Sequence, residues 1–221
     1  MKESEHNHSW SGERAERFIK TMETNINSRY KPFAKQVVNI MKTFNMKEKY
    51  KIVDIGCGPG LLLFEIKNLN PNLQLIGVDP SEVMLNAARN KAEKLGLGDS
   101  EFKKGYAEEI PLSDNEIDIV VCFNSLHDFK SAEKTIKEVS RILKNNGILI
   151  LKDKNGSYPK WKMRLHFISL TIKLGKKQAK RYYKSRSHWL KINQVINWIS
   201  KNGLQAKIVS KKADYIIVGK K

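Results

Sequence analysis

Cysteine occurs only twice in the 221 residues, at Cys57 and Cys122. Two thiols cannot build a disulfide framework or the ligand set of a structural zinc. Each lies in an apolar stretch, where a buried free thiol is the ordinary state, and their scarcity fits a reducing compartment. Long apolar runs are missing as well. Nothing approaches the roughly 18 consecutive apolar residues that a membrane span requires. Met1–Gly12 is polar and has no apolar core of the kind a secretory leader carries. The expectation is a cytoplasmic protein without a transmembrane segment. No metal site is expected, His6 and His8 being placed in a polar terminus.

Acidic residues are scarce in one region only. Residues 153–221 hold 18 Lys and Arg against two acids, Asp153 and Asp214, a local excess of +16 out of +18 for the chain. Such asymmetry points to an anionic partner: nucleic acid, a phosphorylated or carboxylated metabolite, or a membrane surface. The plainer alternative is a lysine-rich surface that aids solubility.

What is present reads as alternating strands and helices. Ala15, Phe18, Ile19, Met22 and Ile26 recur at helical spacing over 13–28. Phe33, Val37, Ile40, Met41 and Phe44 do so over 32–45, with Pro32 in the first turn. Ile52–Ile55 is a short apolar strand, followed by a glycine loop and a helix carrying Leu61, Leu62, Phe64, Ile66 and Leu69. Leu73–Val78 is a second strand, and Ser81 is placed to cap the helix after it. Phe102 marks a short third strand. Ile117–Phe123 and Gly147–Leu151 are continuous apolar runs, as strands covered on both faces require, and Ser131–Leu143 is the helix between them. Trp189, Ile192, Val195, Ile196 and Ile199 give a last helix, ended by Gly203. This order is the pattern of a parallel α/β sheet wrapped on both sides.

The segment Val53-Asp54-Ile55-Gly56-Cys57-Gly58-Pro59-Gly60 closes the first strand. Glycines there let the backbone turn tightly and approach a ligand, and the helix that follows offers free N–H groups. A dinucleotide fingerprint would place its third glycine at position 61; that position is Leu61, and the third glycine is Gly60. The carboxylate of Asp54 would repel a pyrophosphate, and it suits a ligand with a cationic amino acid end. Asp79, closing the second strand, is placed to accept from both hydroxyls of a ribose.

These residues resemble the successive motifs of class I S-adenosylmethionine (SAM)-dependent methyltransferases, most closely the small "type 11" group. The resemblance is carried by Val53–Gly60, Gly77–Ser81, Gly105–Leu112, Ile117–Val120, Ser125–Phe129 and Glu138–Gly147, and it covers residues 50–152, with a weaker echo at Ile192–Leu204. It implies a three-layer α/β/α Rossmann-like sandwich on a mostly parallel seven-stranded sheet. The strand order would be 3-2-1-4-5-7-6 with the last strand antiparallel, Lys207–Ser210 and Tyr215–Val218 supplying strands six and seven. The single domain 1–221 would then comprise an N-terminal helical lid (1–45), the SAM-binding core (50–152), a basic helical insert (153–190) and a C-terminal helix with strands (191–221).

The resemblance also implies a cofactor site made by Asp54, Gly56, Cys57, Gly58, Gly60, Asp79, Pro80, Met84, Tyr106, Ala107, Glu108, Phe123 and Asn124, with S-adenosylhomocysteine as product. Tyr106 departs from the family pattern, standing where an Asp usually receives the adenine amino group. Methyl transfer needs positioning more than a base. His127 and Asn124, at the end of the Ile117–Phe123 strand, are the catalytic candidates, His127 as proton acceptor; the alternative at both positions is a pocket wall. Cys122-Phe123-Asn124-Ser125 lacks the Asn/Asp-Pro-Pro-aromatic signature of enzymes that methylate planar amino groups. The cysteines fit neither cytosine C5 methylation nor an arsenite-binding trio.

In the insert, Trp161, Leu165, Ile168 and Ile172 form one helical stripe and Met163, Phe167, Leu170 and Leu174 another on the opposite side, so the helix wants partners on both. Lys176–Arg186 follows, six cations with Tyr182 and Tyr183. Three functions fit. The first is methylation of a small, anionic acceptor under a lid of residues 1–45 and 153–190. The second is methylation of tRNA or rRNA held by Lys176–Arg186. The third is SAM binding without catalysis.

Overall fold

The computed structural model describes residues 12–45, 49–175 and 185–221. Lys176–Lys184, most of the basic run, lies outside the described residues, as do the side chains of Leu165, Leu170 and Leu174. The strands are β1 (Lys51–Ile55), β2 (Gln74–Asp79), β3 (Glu101–Lys104), β4 (Ile117–Phe123), β5 (Leu143–Lys154), β6 (Gln205–Lys211) and β7 (Asp214–Lys220). They form one sheet in the order β3-β2-β1-β4-β5-β7-β6. β7 runs antiparallel to both β5 and β6, and the other pairs are parallel. The expected order and the antiparallel last strand are thus both present.

Helices cover both faces because the central strands are apolar on both. Ile52, Val121 and Ile150 pack with Phe33 and Val37 of α2 (Lys31–Thr43), Leu62 and Phe64 of α3 (Leu61–Leu69) and Leu85 of α4 (Glu82–Lys94). Val53, Val120 and Leu149 pack with Ile136 and Val139 of α5 (Ala132–Ile142) and Val195 and Ile199 of α7 (Ile192–Lys201). The starts of α4 and α5 are fixed locally: the Ser81 and Ser131 hydroxyls accept from the backbone N–H of Met84 and Lys134. Since β1, β2, β4 and β5 are parallel, the loops leaving their C-terminal ends gather at one edge, where such sheets build sites.

Several boundaries differ from expectation, β5 among them, which begins at Leu143 rather than Gly147. The two N-terminal helices are shorter, α1 (Gly12–Thr24) and α2, joined by a π-helical turn at Ile26–Tyr30. β5 extends three residues past Leu151, because Lys152, Asp153 and Lys154 continue the ladder onto Ile216, Tyr215 and Asp214. α7 begins at Ile192, so Trp189 is buried ahead of it; the carbonyl of Leu190 is taken by the N–H of Gly156 at 2.9 Å. The insert forms α6 (Lys160–Leu174), of which Met163 is fully buried while Trp161, Ile168 and Ile172 are exposed.

The Gly156 contact is tight enough to test. A Cβ there would stand 2.4 Å from the Trp189 carbonyl oxygen, a backbone atom that cannot rotate away, whereas one on Gly98 meets nothing within 4 Å. Gly156→Ala is expected to cost about 1–3 kcal/mol in urea unfolding, and Gly98→Ala to be neutral or slightly stabilising.

Candidate functional site

The turn after β1 is built by three glycines with left-handed backbone, Gly56, Gly58 and Gly60, at φ of +73°, +53° and +73°. Most side chains avoid that region, which suits glycine at all three positions. The N–H groups of Gly56 and Cys57 both donate to the Val78 carbonyl, tying the turn to β2. The Gly58 N–H donates to Asp79 Oδ2 and the Ser81 N–H to Asp79 Oδ1, each at 2.9 Å. Asp79 therefore holds two loops together, and as a carboxylate it keeps lone pairs for further donors. The Cys57 thiol is buried in the core, 2.8 Å from where a Cβ on Gly77 would stand, and it donates to the Gly58 carbonyl of the same turn at 3.5 Å.

Asp54 lies opposite Gly77 in the register of β1 and β2, one residue inside the turn. It is buried, and among the described residues its Oδ1 has no hydrogen-bond partner. Burial pushes its carboxyl well above the usual carboxylate range, and the charge of Asp79 adds to this. Burial raises Asp79 too, opposed by the N–H bonds from Ser81 and Gly58. An orphaned buried acceptor of this kind is explained by a donor or cation supplied from outside.

α1 covers the turn. The methyl of Met22 stands 3.4 Å from where a Cβ on Gly58 would be, and Glu23 binds Lys91 of α4 at 2.8 Å. On the far side, the Gly105 N–H donates to the Asp79 carbonyl and brings Tyr106 and Ala107 to the site. Tyr106 is 54% exposed with Lys130 Nζ 5.2 Å from its ring centre, and Ala107 is buried. Glu108 is committed to structure, since it accepts from the Ser131 N–H. Pro80 is exposed at the same edge and Met84 is buried beneath it in α4.

At the end of β4, Phe123 meets a group that the sequence reading missed. Phe33 stacks on it (4.8 Å, 25°), Tyr30 meets it edge-on at 5.5 Å, and Lys152 and Arg29 lie 5.5 and 5.9 Å from its centre. Burial lowers the Lys152 amine and raises the Tyr30 hydroxyl to about 12. Among the described residues, neither Lys152 nor Arg29 has a carboxylate partner. Asn124 follows with a left-handed backbone (φ +55°), uncommon outside glycine, and among the described residues its buried Oδ1 has no partner.

His127 is brought elsewhere. Lys152 and Asp153 are consecutive in β5 and point to opposite faces of the sheet. Asp153, fully buried, accepts from the His127 backbone N–H at 3.0 Å and faces its Nδ1 at 2.5 Å. Burial lowers the His127 ring, but the hydrogen bond and charge of Asp153 outweigh it and the net shift is upward. Sequence reading counted Asp153 only as a rare acid in a basic region. A charged Lys-Asp-Lys triplet closing an otherwise apolar strand was the signal available.

A family described as "Methyltransferase domain" matches residues 46–203. An "Uncharacterized methyltransferase YcgJ" from Bacillus subtilis (strain 168) is 32% identical over 115 residues, 52% of this chain and 44% of that protein. A "Demethylmenaquinone methyltransferase" from Bacillus cytotoxicus is 31% identical over 123 residues, 55% of this chain and 51% of the relative. The chain spans about half the length of these curated relatives. In three dimensions, a putative S-adenosyl-L-methionine-dependent methyltransferase from Methanococcus maripaludis shares the fold with a TM-score of 0.72 at 20% identity, over 94% of this chain and 92% of that one.

The Asp54 carboxyl has a pH consequence in the ligand-free protein. Its folded pKa lies above the unfolded value, so the native state keeps its proton longer. That penalty is absent at pH below the ordinary carboxylate range and grows as pH rises through the raised value. Asp54→Asn is therefore expected to unfold at higher temperature than wild type near neutral pH. A gain of about 1 kcal/mol would appear as a rise of roughly 2–4 °C, shrinking toward acid pH. A variant less stable than wild type at neutral pH contradicts the orphaned carboxylate.

Proposed function

We propose that this chain, which belongs to the methyltransferase-domain family, binds SAM and transfers its methyl group to a small anionic acceptor. The observation that carries this reading is the buried, unpartnered carboxylate of Asp54 beside a glycine turn wrapped on a second carboxylate, Asp79. The site fits a ligand that is cationic at one end and carries a ribose at the other. It does not suit a pyrophosphate, which two carboxylates would repel.

In this assignment Asp54 Oδ1 accepts from the α-ammonium of the cofactor, and the Gly56–Gly60 turn gives the backbone room to lie along it. Asp79 accepts from the ribose hydroxyls with the lone pairs its two N–H donors leave. Pro80 and Met84 bound the ribose and base, Tyr106 offers a ring face to the adenine, and the Ala107 backbone closes its edge. Glu108 shapes the turn that presents these two. Met22 and the rest of α1 form the cover that keeps water out. When bound, the cofactor supplies an electrophilic methyl carbon on a sulfonium, and transfer leaves a neutral thioether.

The acceptor is assigned to the cluster at the ends of β4 and β5. Phe123 and Phe33 give a flat apolar wall, while Lys152 and Arg29 supply two cations without a carboxylate partner, a setting suited to an acceptor with a carboxylate, phenolate or phosphate. Positioning by this wall provides most of the acceleration. Asn124, held strained at the strand end, offers its free Oδ1 to the acceptor's reacting N–H or O–H. His127 is a positioning residue in this reading: Asp153 holds it by ring and backbone, and so anchors the loop 124–129. Cys57 and Cys122, free and buried, suit a reducing compartment.

The test uses methyl-labelled SAM, purified protein and an extract of the source cells, with products separated into nucleic acid, protein, lipid and small-molecule fractions. Label is expected in the small-molecule pool, and Lys152→Met is expected to lower kcat/KM for that product by about tenfold or more while SAM affinity stays within about twofold. Label in RNA would favour a nucleic-acid acceptor held by Lys176–Arg186. No label in any fraction, with SAM bound, would mean a binding protein without turnover.

A further inference from the structure

The last third of the chain has only two acids, and both are engaged within the protein: Asp153 is fully buried against His127, and the half-buried Asp214 pairs with Lys154 at 2.8 Å. Against them stand 18 Lys and Arg. Residues 153–221 are therefore strongly cationic in sequence, and among the described residues Lys162 and Arg164 of this segment are exposed.

α6 lies in this region and is apolar on two opposite sides. Met163 is fully buried and Phe167 half-buried, so one side is covered. The other carries Trp161, Ile168 and Ile172, 62%, 56% and 81% exposed. At 3.6 residues per turn, positions i, i+7 and i+11 fall in one narrow stripe. Exposed Lys162 and Arg164 flank it, and the Lys162 amine sits 5.2 Å from the Trp161 ring centre. With 15 residues the helix is about 22 Å long, short of the ~30 Å of a bilayer's apolar core. Among the described residues no helix is long and apolar enough to cross a membrane.

We infer that α6 is an interfacial helix that docks the protein on an anionic lipid surface. Its Trp161–Ile172 stripe sits at the headgroup–acyl boundary, and the flanking cations lie over the headgroups. Stripe and charge together select this occupant. A second copy would bring two strongly cationic faces together, which like-charge repulsion opposes. RNA would engage the cations but leave Ile168 and Ile172 in water, with nothing to recognise. A lipid surface satisfies both at once: the aliphatic stripe and a tryptophan for the interface, basic side chains for the phosphates.

The full chain would be sedimented with vesicles of phosphatidylcholine alone and of phosphatidylcholine with an equal part of phosphatidylglycerol. Binding to the mixed vesicles and little to the neutral ones is expected. Brominated acyl chains should quench the intrinsic fluorescence, and Trp161→Phe should remove most of that quenching. Ile168→Asp/Ile172→Asp should weaken the partition by about tenfold or more, with melting temperature and SAM affinity unchanged. Three results overturn the inference: no binding to the mixed vesicles, binding indifferent to the two Asp substitutions, or a dimer or an RNA complex that those substitutions abolish.

Discussion

Two carboxylates at the ends of neighbouring strands, both raised by burial, set the terms for the rest of the molecule. A carboxylate taken out of water without a partner costs several kcal/mol, and Asp54 has an oxygen in that state. The protein accommodates it by spending the backbone N–H groups of the glycine turn elsewhere: Gly56 and Cys57 bond Val78, and Gly58 bonds Asp79. Among the described residues no donor is turned toward Asp54 Oδ1. The arrangement leaves the stabilisation of that charge to a ligand. It follows that the ligand-free site is a source of instability, and that whatever binds it should be cationic where it meets Asp54.

Alternation along the strands then sorts the remaining groups. On β5, Lys152 faces α2 and joins Phe33 and Phe123, whereas Asp153 faces the side of α5 and α7 and takes His127. A shift of one residue in the pairing of β4 with β5 would exchange the two. The cation would then meet His127, and the acid would stand in the aromatic wall. The pairing of Phe123 with Lys152 is thus a condition for the aromatic and cationic cluster proposed to hold the acceptor, as well as for the sheet.

Much of this was legible in the sequence because it is local. The strands are runs of branched apolar residues, the caps are single serines, and the glycine turn with Asp54 and Asp79 falls within 26 residues. The resemblance to methyltransferases rested on the same local segments and carried the strand order with it. Arg29, Tyr30, Lys152 and Asp153 stayed hidden for the opposite reason. Arg29, Tyr30 and Lys152 meet only when the chain brings the Ile26–Tyr30 turn and α2 to β4 and β5 across some 90 residues or more, and Asp153 meets His127 only when β5 closes on the loop after β4; no periodicity reports such meetings. Glu108 and Cys57 show the converse: position in a motif marked them, while the structure gives the Glu108 side chain to Ser131 and the Cys57 side chain to the core.

Asp54, its carboxyl raised by burial and by the charge of Asp79, is the group that a cationic ligand would meet. Calorimetric titration of the protein with SAM, in two buffers of different ionisation enthalpy at the same mildly acidic pH, measures this directly. The account predicts that binding releases protons, because the cation favours the ionised carboxylate, and that Asp54→Asn abolishes most of that release along with most of the affinity. Tight binding without proton release, unchanged in Asp54→Asn, would contradict it.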